Sequence, residues 1–309
     1  MAAGTPMPLA QAPWTLGGEG RPFREIAASR KADASFSAQA VPALTEIPMR
    51  KTFQALSLAA VLALSGAAAA QAAPPREKPT IVLVHGTFAD SSGWNGVVSR
   101  LSRDGYRVIA AANQLRALGS DAEMVSALVK SIPGPVILVG HSYGGEVITE
   151  AANGNGNVEA LVYVAGFLPE AGESALSLSG KFPGGTLASA LSPVVLPDGD
   201  EDFYIQPAKF HAQFAADVPA ATAALMAATQ RPVTGRALSD MATTASWKRL
   251  PSYVIYGSAD RNIPAEAQRF MAERARVRKT VAIEGASHAL MVSHPDKVAA
   301  LIEDAASAR

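Results

Sequence analysis

Short apolar runs rich in branched residues punctuate the chain: Ile81 to Val84, Tyr106 to Ala111, Val136 to Val139, Ala160 to Ala165, Tyr253 to Tyr256 and Val281 to Glu284. A run without polar alternation fits a strand covered on both faces, as in a parallel sheet packed between helices. The segments between runs repeat apolar residues at helical spacing instead. Trp94 to Leu101 does so, and so does Asp121 to Ile132, where Asp121 is a candidate cap, Met124, Leu128 and Ile132 share a face, and Pro133-Gly134 stops the helix. Gly145 to Ala152, Ala265 to Ala275 and Pro295 to Ala306 are further predicted helices. This alternation predicts one α/β domain with an open, mainly parallel sheet of about six strands and helices on both faces.

The alternation lapses from about Phe167 to Trp247. Glycines, prolines and an acidic cluster (Asp198, Asp200, Glu201, Asp202) mix there with Ala-rich helical segments such as Phe210 to Gln230. A long excursion from a compact domain usually carries function, so the stretch is expected to form an inserted helical cap, with no second sheet. The acidic cluster lacks the regular loop spacing that would hold calcium and is expected to be a solvated loop. His211 and Gln230 are polar residues in otherwise apolar helical segments, which makes them candidate pocket residues.

Upstream of the first strand the pattern is different. Residues 1 to 48 are rich in Ala, Pro, Gly and Ser without periodicity and are expected to be disordered. Met49-Arg50-Lys51, the apolar Phe53 to Ala70 and Ala70-Gln71-Ala72 then supply the charged, hydrophobic and small-x-small parts of a secretory signal peptide over 49–72. Translation from Met49 would place that signal at the N-terminus. The domain over 73–309 is then expected to be periplasmic or secreted, with no stable membrane association after cleavage.

Charge and composition exclude several classes. The 309 residues carry 27 Lys+Arg against 27 Asp+Glu, and no basic run or aromatic-basic interleaving suggests a nucleic-acid partner. The absence of cysteine removes thiol catalysis and disulfides, and no metal-ligand spacing occurs.

The candidate chemistry lies just past the strand ends. Val136 to Val139 runs into Gly140-His141-Ser142-Tyr143-Gly144, a G-x-S-x-G turn. A serine on such a strand-to-helix turn sits in strained backbone that exposes its hydroxyl and aims the next amide, that of Tyr143, at a developing oxyanion. Ile81 to Val84 ends in His85-Gly86-Thr87-Phe88, where the glycine permits close approach and the Thr87 amide is the candidate second donor. The Phe88 amide is the alternative, and Phe88 itself is a further candidate pocket residue. His85 is expected to hold this loop through hydrogen bonds, and His141 to be packed. Asp260 is the carboxylate in the loop after Tyr256, and His288 follows the last strand in Gly285-Ala286-Ser287-His288. His294, just before Pro295, is the weaker candidate base because its position suits a helix start. Parallel strands carry Ser142, Asp260 and His288 to one rim, where histidine can activate the serine and the carboxylate can orient the histidine. A histidine base must be neutral, so activity is expected to fall as pH drops through about 6 to 7.

With these residues in place, Thr80 to Arg309 resembles the α/β-hydrolase superfamily. Within it, the entry at the His-Gly strand and the Ser-His-Ala-Leu-Met-Val-Ser-His-Pro ending are similar to the branch of small methyl esterases and hydroxynitrile lyases, together with related bacterial esterase-like proteins. The lyases carry threonine for the glycine of His-Gly and lysine after the catalytic histidine, whereas this chain has Gly86 and Ala289. The resemblance therefore implies a cofactor-free serine hydrolase of carboxylic esters or lactones, with a small-molecule ester as its partner. A hydroxynitrile lyase or cofactor-free perhydrolase on the same fold, or a slow-turnover ligand-binding protein, remains the alternative.

Overall fold

Each of the six apolar runs becomes a strand of one sheet in the computed structural model, which describes residues 77–308. The expected disordered extension over 1–48 and the signal peptide over 49–72 lie outside the described residues. In chain order the core elements are β1 (Thr80–Val84), α1 (Asn95–Arg103), β2 (Val108–Ala111), α2 (Leu118–Lys130), β3 (Val136–His141), α3 (Gly144–Ala151) and β4 (Val158–Val164). The excursion contributes α4 (Ala175–Ser179), β5 (Leu191–Val195), β6 (Glu201–Ile205), α5 (Pro207–Phe214), α6 (Ala220–Thr229), β7 (Val233–Thr234) and α7 (Gly235–Ser239). The core resumes with β8 (Ser252–Gly257), α8 (Ala265–Ala275), β9 (Lys279–Ile283), α9 (Leu290–Ser293) and α10 (Pro295–Ser307).

The six core strands pair in parallel in the order β2-β1-β3-β4-β8-β9. β1, β3 and β8 are buried along their whole length, as their uninterrupted apolar sequence requires, while the edge strand β9 is only half covered. Two apolar cores lie against the sheet, one built with α2, α3 and α8, the other with α1 and α10. Chain order reverses between β1 and β3, so a crevice opens beyond their C-terminal ends. The Gly86 and Ser142 loops flank that crevice.

Two expectations change. The buried face of α2 is Leu118, Ala122, Val125 and Val129, the stripe that spacings of three and four generate, and Met124 points to solvent at 48% exposure. Asp121 is no cap: buried inside α2, it accepts the Tyr143 hydroxyl at 3.0 Å and the Arg116 amide at 3.2 Å.

The cap is also not purely helical. β5, β6 and β7 form a three-stranded antiparallel sheet, and Phe210 to Gln230 spans two helices, α5 ending at Phe214 and α6 starting after Pro219. Part of the acidic cluster belongs to β6, where Asp202 pairs with Arg116 of the core at 2.6 Å and so ties the cap to the domain.

Candidate active site

Ser142 closes β3 with φ at +53°, the left-handed region that a non-glycine residue occupies only under constraint. The constraint comes from its neighbours. A Cβ at Gly140 would fall on the Gly144 carbonyl, so only glycine allows the chain to double back there. Further hydrogen bonds fix the turn: Ser142 donates its amide to Val164 at 3.2 Å and its carbonyl accepts from Gly145 and Phe167. The expected elbow is thus present in its backbone geometry.

The loop after β1 presses against it. A Cβ at Gly86 would lie 2.5 Å from that of Ser142 and 3.2 Å from the Tyr143 nitrogen, which brings the Gly86-Thr87 backbone beside the Tyr143 amide. Among the described residues neither the Thr87 nor the Tyr143 amide donates to another backbone carbonyl, whereas the Phe88 amide is spent on Arg231 at 3.1 Å. That leaves Thr87 and Tyr143 as the candidate oxyanion donors and removes Phe88. His85 holds the loop: its Nδ1 donates to the Gly86 carbonyl and its Nε2 accepts the Asn113 amide, each at 3.0 Å. Burial pushes its pKa down and keeps the ring neutral.

Asp260 and His288 meet after β8 and β9. His288 Nδ1 donates to Asp260 Oδ2 at 2.7 Å, with both side chains fully buried. The carboxylate is saturated: Oδ1 accepts the amides of Asn262 and Ile263 at 2.8 and 3.0 Å, and Oδ2 also accepts Gln268 Nε2 at 2.9 Å. This fixes the His288 tautomer and leaves Nε2 as the free acceptor; Nε2 has no partner among the described residues, so no bond to Ser142 Oγ is formed. His288 adjoins the elbow through His141, whose Nε2 donates to the His288 carbonyl at 3.1 Å and whose ring lies 4.7 Å from that of His288. Burial, reinforced by His288, pushes the pKa of His141 well down, so it serves as a neutral spacer. His294 stands 3.3 Å from Asp217 and away from this pair.

Ser142 opens onto a cavity of about 310 Å3. Leu176, Leu191 and Leu238 reach it from three cap elements, Leu187 from the turn before β5, and Phe167 and Ile263 from the core; none of the described residues lining it is charged. The candidate pocket residues Phe88, His211 and Gln230 do not line it. Phe88 and Gln230 border a separate void of about 20 Å3, and Gln230 is committed to the Ile205 amide and carbonyl, which pins α6 to β6. His211 is exposed and donates to the Val218 carbonyl at 2.8 Å, closing the α5–α6 turn. A polar residue in an Ala-rich helix here serves the cap's own backbone. Sequence reasoning missed Gln268, although it shares the buried face of α8 with Ala267, Met271 and Ala272, and a lone amide in an apolar stripe was the available signal.

The α/β-hydrolase family model matches residues 81–301. The chain belongs to the α/β-hydrolase family. This hydrolase is 28% identical over 255 residues to the alpha/beta hydrolase nvfD of Aspergillus novofumigatus, spanning 74% of this chain and 97% of that protein. It is 32% identical over 132 residues to a carbendazim hydrolyzing esterase of a Nocardioides species, covering 36% of this chain and 54% of that one. In fold it is similar to polyneuridine aldehyde esterase (TM-score 0.65, 19% identity, covering 74% and 99% of the two chains) and to an Arabidopsis methylesterase (0.64, 18%, 75% and 100%). The resemblance seen in the sequence therefore holds at the level of family and fold.

Behind the elbow of this hydrolase, Glu146 is fully buried and neither of its carboxylate oxygens has a partner among the described residues. Burial, with the charges of Glu150, Glu173 and Asp240 adding to it, raises its pKa well above the usual carboxylate range. The folded state therefore keeps a proton that the unfolded chain releases above about pH 4.5, so this group's contribution is intact in acid and is lost as pH rises. Glu146→Gln is expected to raise the melting temperature at pH 8 by a few degrees, each kcal/mol being about 2 to 4 °C at this size. The gain should shrink toward pH 4.5, as followed by thermal melts across that range; a pH-independent difference would contradict the assignment.

Proposed function

We propose that this hydrolase cleaves neutral carboxylic esters or lactones through an acyl-enzyme on Ser142. Ser142 Oγ attacks the carbonyl carbon while His288 Nε2 takes its proton, Asp260 holds the imidazole and stabilises its cation, and the amides of Thr87 and Tyr143 receive the oxyanion. Collapse expels the alcohol, which takes the proton from His288, and water activated by the same ring then releases the acid. The observation that carries the reading is the fully buried Asp260–His288 pair at 2.7 Å, packed through His141 against a serine held at φ +53°. Esterases among the sequence relatives and fold neighbours support the reaction class, and the uncharged cavity favours an uncharged substrate.

The test is steady-state hydrolysis of p-nitrophenyl esters of graded acyl length by residues 73 to 309. Turnover is expected to peak at a chain length that fills about 310 Å3 and to fall for acyl groups carrying a charge. Absence of hydrolysis across the series would count against an esterase. We further propose that the chain is exported after cleavage before Ala73; N-terminal sequencing of the exported protein checks this, and a protein retained with residues 49–72 attached would contradict it.

A further inference from the structure

The loop that carries His288 hangs from a sheet edge. Among the described residues β9 pairs with β8 alone, and the loop leaves it through Gly285 at φ +74°, a conformation with little stiffness of its own. Its position depends on ties made elsewhere: in the core, the Gly285 amide donates to the Ser258 hydroxyl, the Ala259 amide donates to the Ala286 carbonyl, and His141 and Asp260 hold His288 itself, while a second set comes from the turn between α5 and α6 in the cap. Ala289 donates its amide to the Phe214 carbonyl at 3.0 Å. The Ser287 hydroxyl, buried with its residue, donates to Asp217 Oδ1, with the Phe214 carbonyl 3.4 Å away. The Phe214 ring stands edge-on to His288 with centroids 5.0 Å apart. On its far side Asp217 Oδ2 faces His294 Nε2, at the start of α10, at 3.3 Å. One carboxylate from the cap thus grips the residue before the proposed base through Oδ1, while its Oδ2, near His294, makes no hydrogen bond among the described residues.

We propose that Asp217 is a positioning residue, a cap-borne latch that acts through the Ser287 hydroxyl to hold His288 Nε2 in line with Ser142. The proposal rests on the reading of His288 as the base. A hydroxyl-to-carboxylate bond is stronger and more directional than a neutral one, and it sits one residue from the imidazole, so it limits rotation of the ring about its Asp260 contact. Burial works against ionisation of Asp217, but hydrogen bonds led by that of Ser287 outweigh it and hold its carboxyl below the usual range. The latch is therefore anionic at neutral pH. Because its carboxylate belongs to the cap, whatever seats the cap over a substrate also sets the base.

The test measures kcat, KM and melting temperature for Asp217→Asn, Asp217→Ala, Ser287→Ala and the Asp217→Ala/Ser287→Ala double variant on the best p-nitrophenyl ester. Asp217→Ala and Ser287→Ala are each expected to lower kcat about tenfold or more with KM within about twofold, since the misplaced group acts in the transition state. Asp217→Asn, which still offers an acceptor, should recover part of the loss, and the double variant should lose no more than either single one. Wild-type kcat in both alanine variants, losses that multiply in the double variant, or losses matched by KM and thermal stability alone would overturn the latch. With Ser142→Ala inactive in the same series, such a result sinks the latch and spares the serine mechanism; turnover persisting in Ser142→Ala sinks both.

Discussion

Ser142→Ala is expected to lower hydrolysis of an activated ester by on the order of 10^6-fold, leaving only the background that the oxyanion donors and the cavity supply. The size follows from the proposed division of labour: without Oγ no acyl-enzyme can form, and His288 Nε2 can activate only a water that must attack the ester directly. Binding should survive, because the apolar walls of the cavity are untouched. The fold should survive as well. The elbow is held by backbone hydrogen bonds and by close approaches at Gly140 and Gly86, none of which uses the hydroxyl. Kinetics on the purified variant, with melting temperature as the control for folding, check both halves; activity retained within tenfold would remove Ser142 from the mechanism.

Asp260→Asn should cost about 10^4-fold in kcat with KM nearly unchanged. The environment dictates why an isosteric change is so damaging. The Asn262 and Ile263 amides need an acceptor and occupy Oδ1, so the new amide nitrogen must take the place of Oδ2 beside His288 Nδ1. Two donors would then face one another. The ring escapes by moving its proton to Nε2, the tautomer that cannot accept from serine. Gln268, which donates to the same oxygen at 2.9 Å, would keep only the Ile263 carbonyl as its acceptor and add to the instability. A kcat within tenfold of the parent, or a loss expressed wholly in KM, would show that Asp260 does not set the tautomer.

The core strands and the positions of the candidate triad were legible in the sequence for a physical reason. Strands buried on both faces must be apolar throughout, and β1, β3 and β8 advertise themselves; Ser142 and Asp260 lie just beyond β3 and β8, whereas His288 follows the half-covered edge strand β9 and is marked by its Gly-Ala-Ser turn instead. The cap has no comparable signature. β5 is an edge strand interrupted by Pro193 and largely exposed, β6 begins inside the acidic cluster, and β7 is two residues long. Its leucines enter the cavity one per element, which leaves no periodicity to read. Phe88, His211 and Gln230 are of types that can line a pocket, and type does not say which way a side chain faces. Asp217 escaped notice because its partner Ser287 is 70 residues away, and pairing at that range is a product of the folded cap.

The most direct measurement is the mass of the protein after reaction with an alkyl fluorophosphonate, followed by peptide mapping, beside an acid-quenched reaction with a p-nitrophenyl ester. The account predicts one phosphonyl group, located on Ser142, loss of ester hydrolysis in proportion to its formation, and no labelling of Ser142→Ala. Full labelling elsewhere on the chain, or undiminished hydrolysis by protein whose Ser142 is fully phosphonylated, would contradict it.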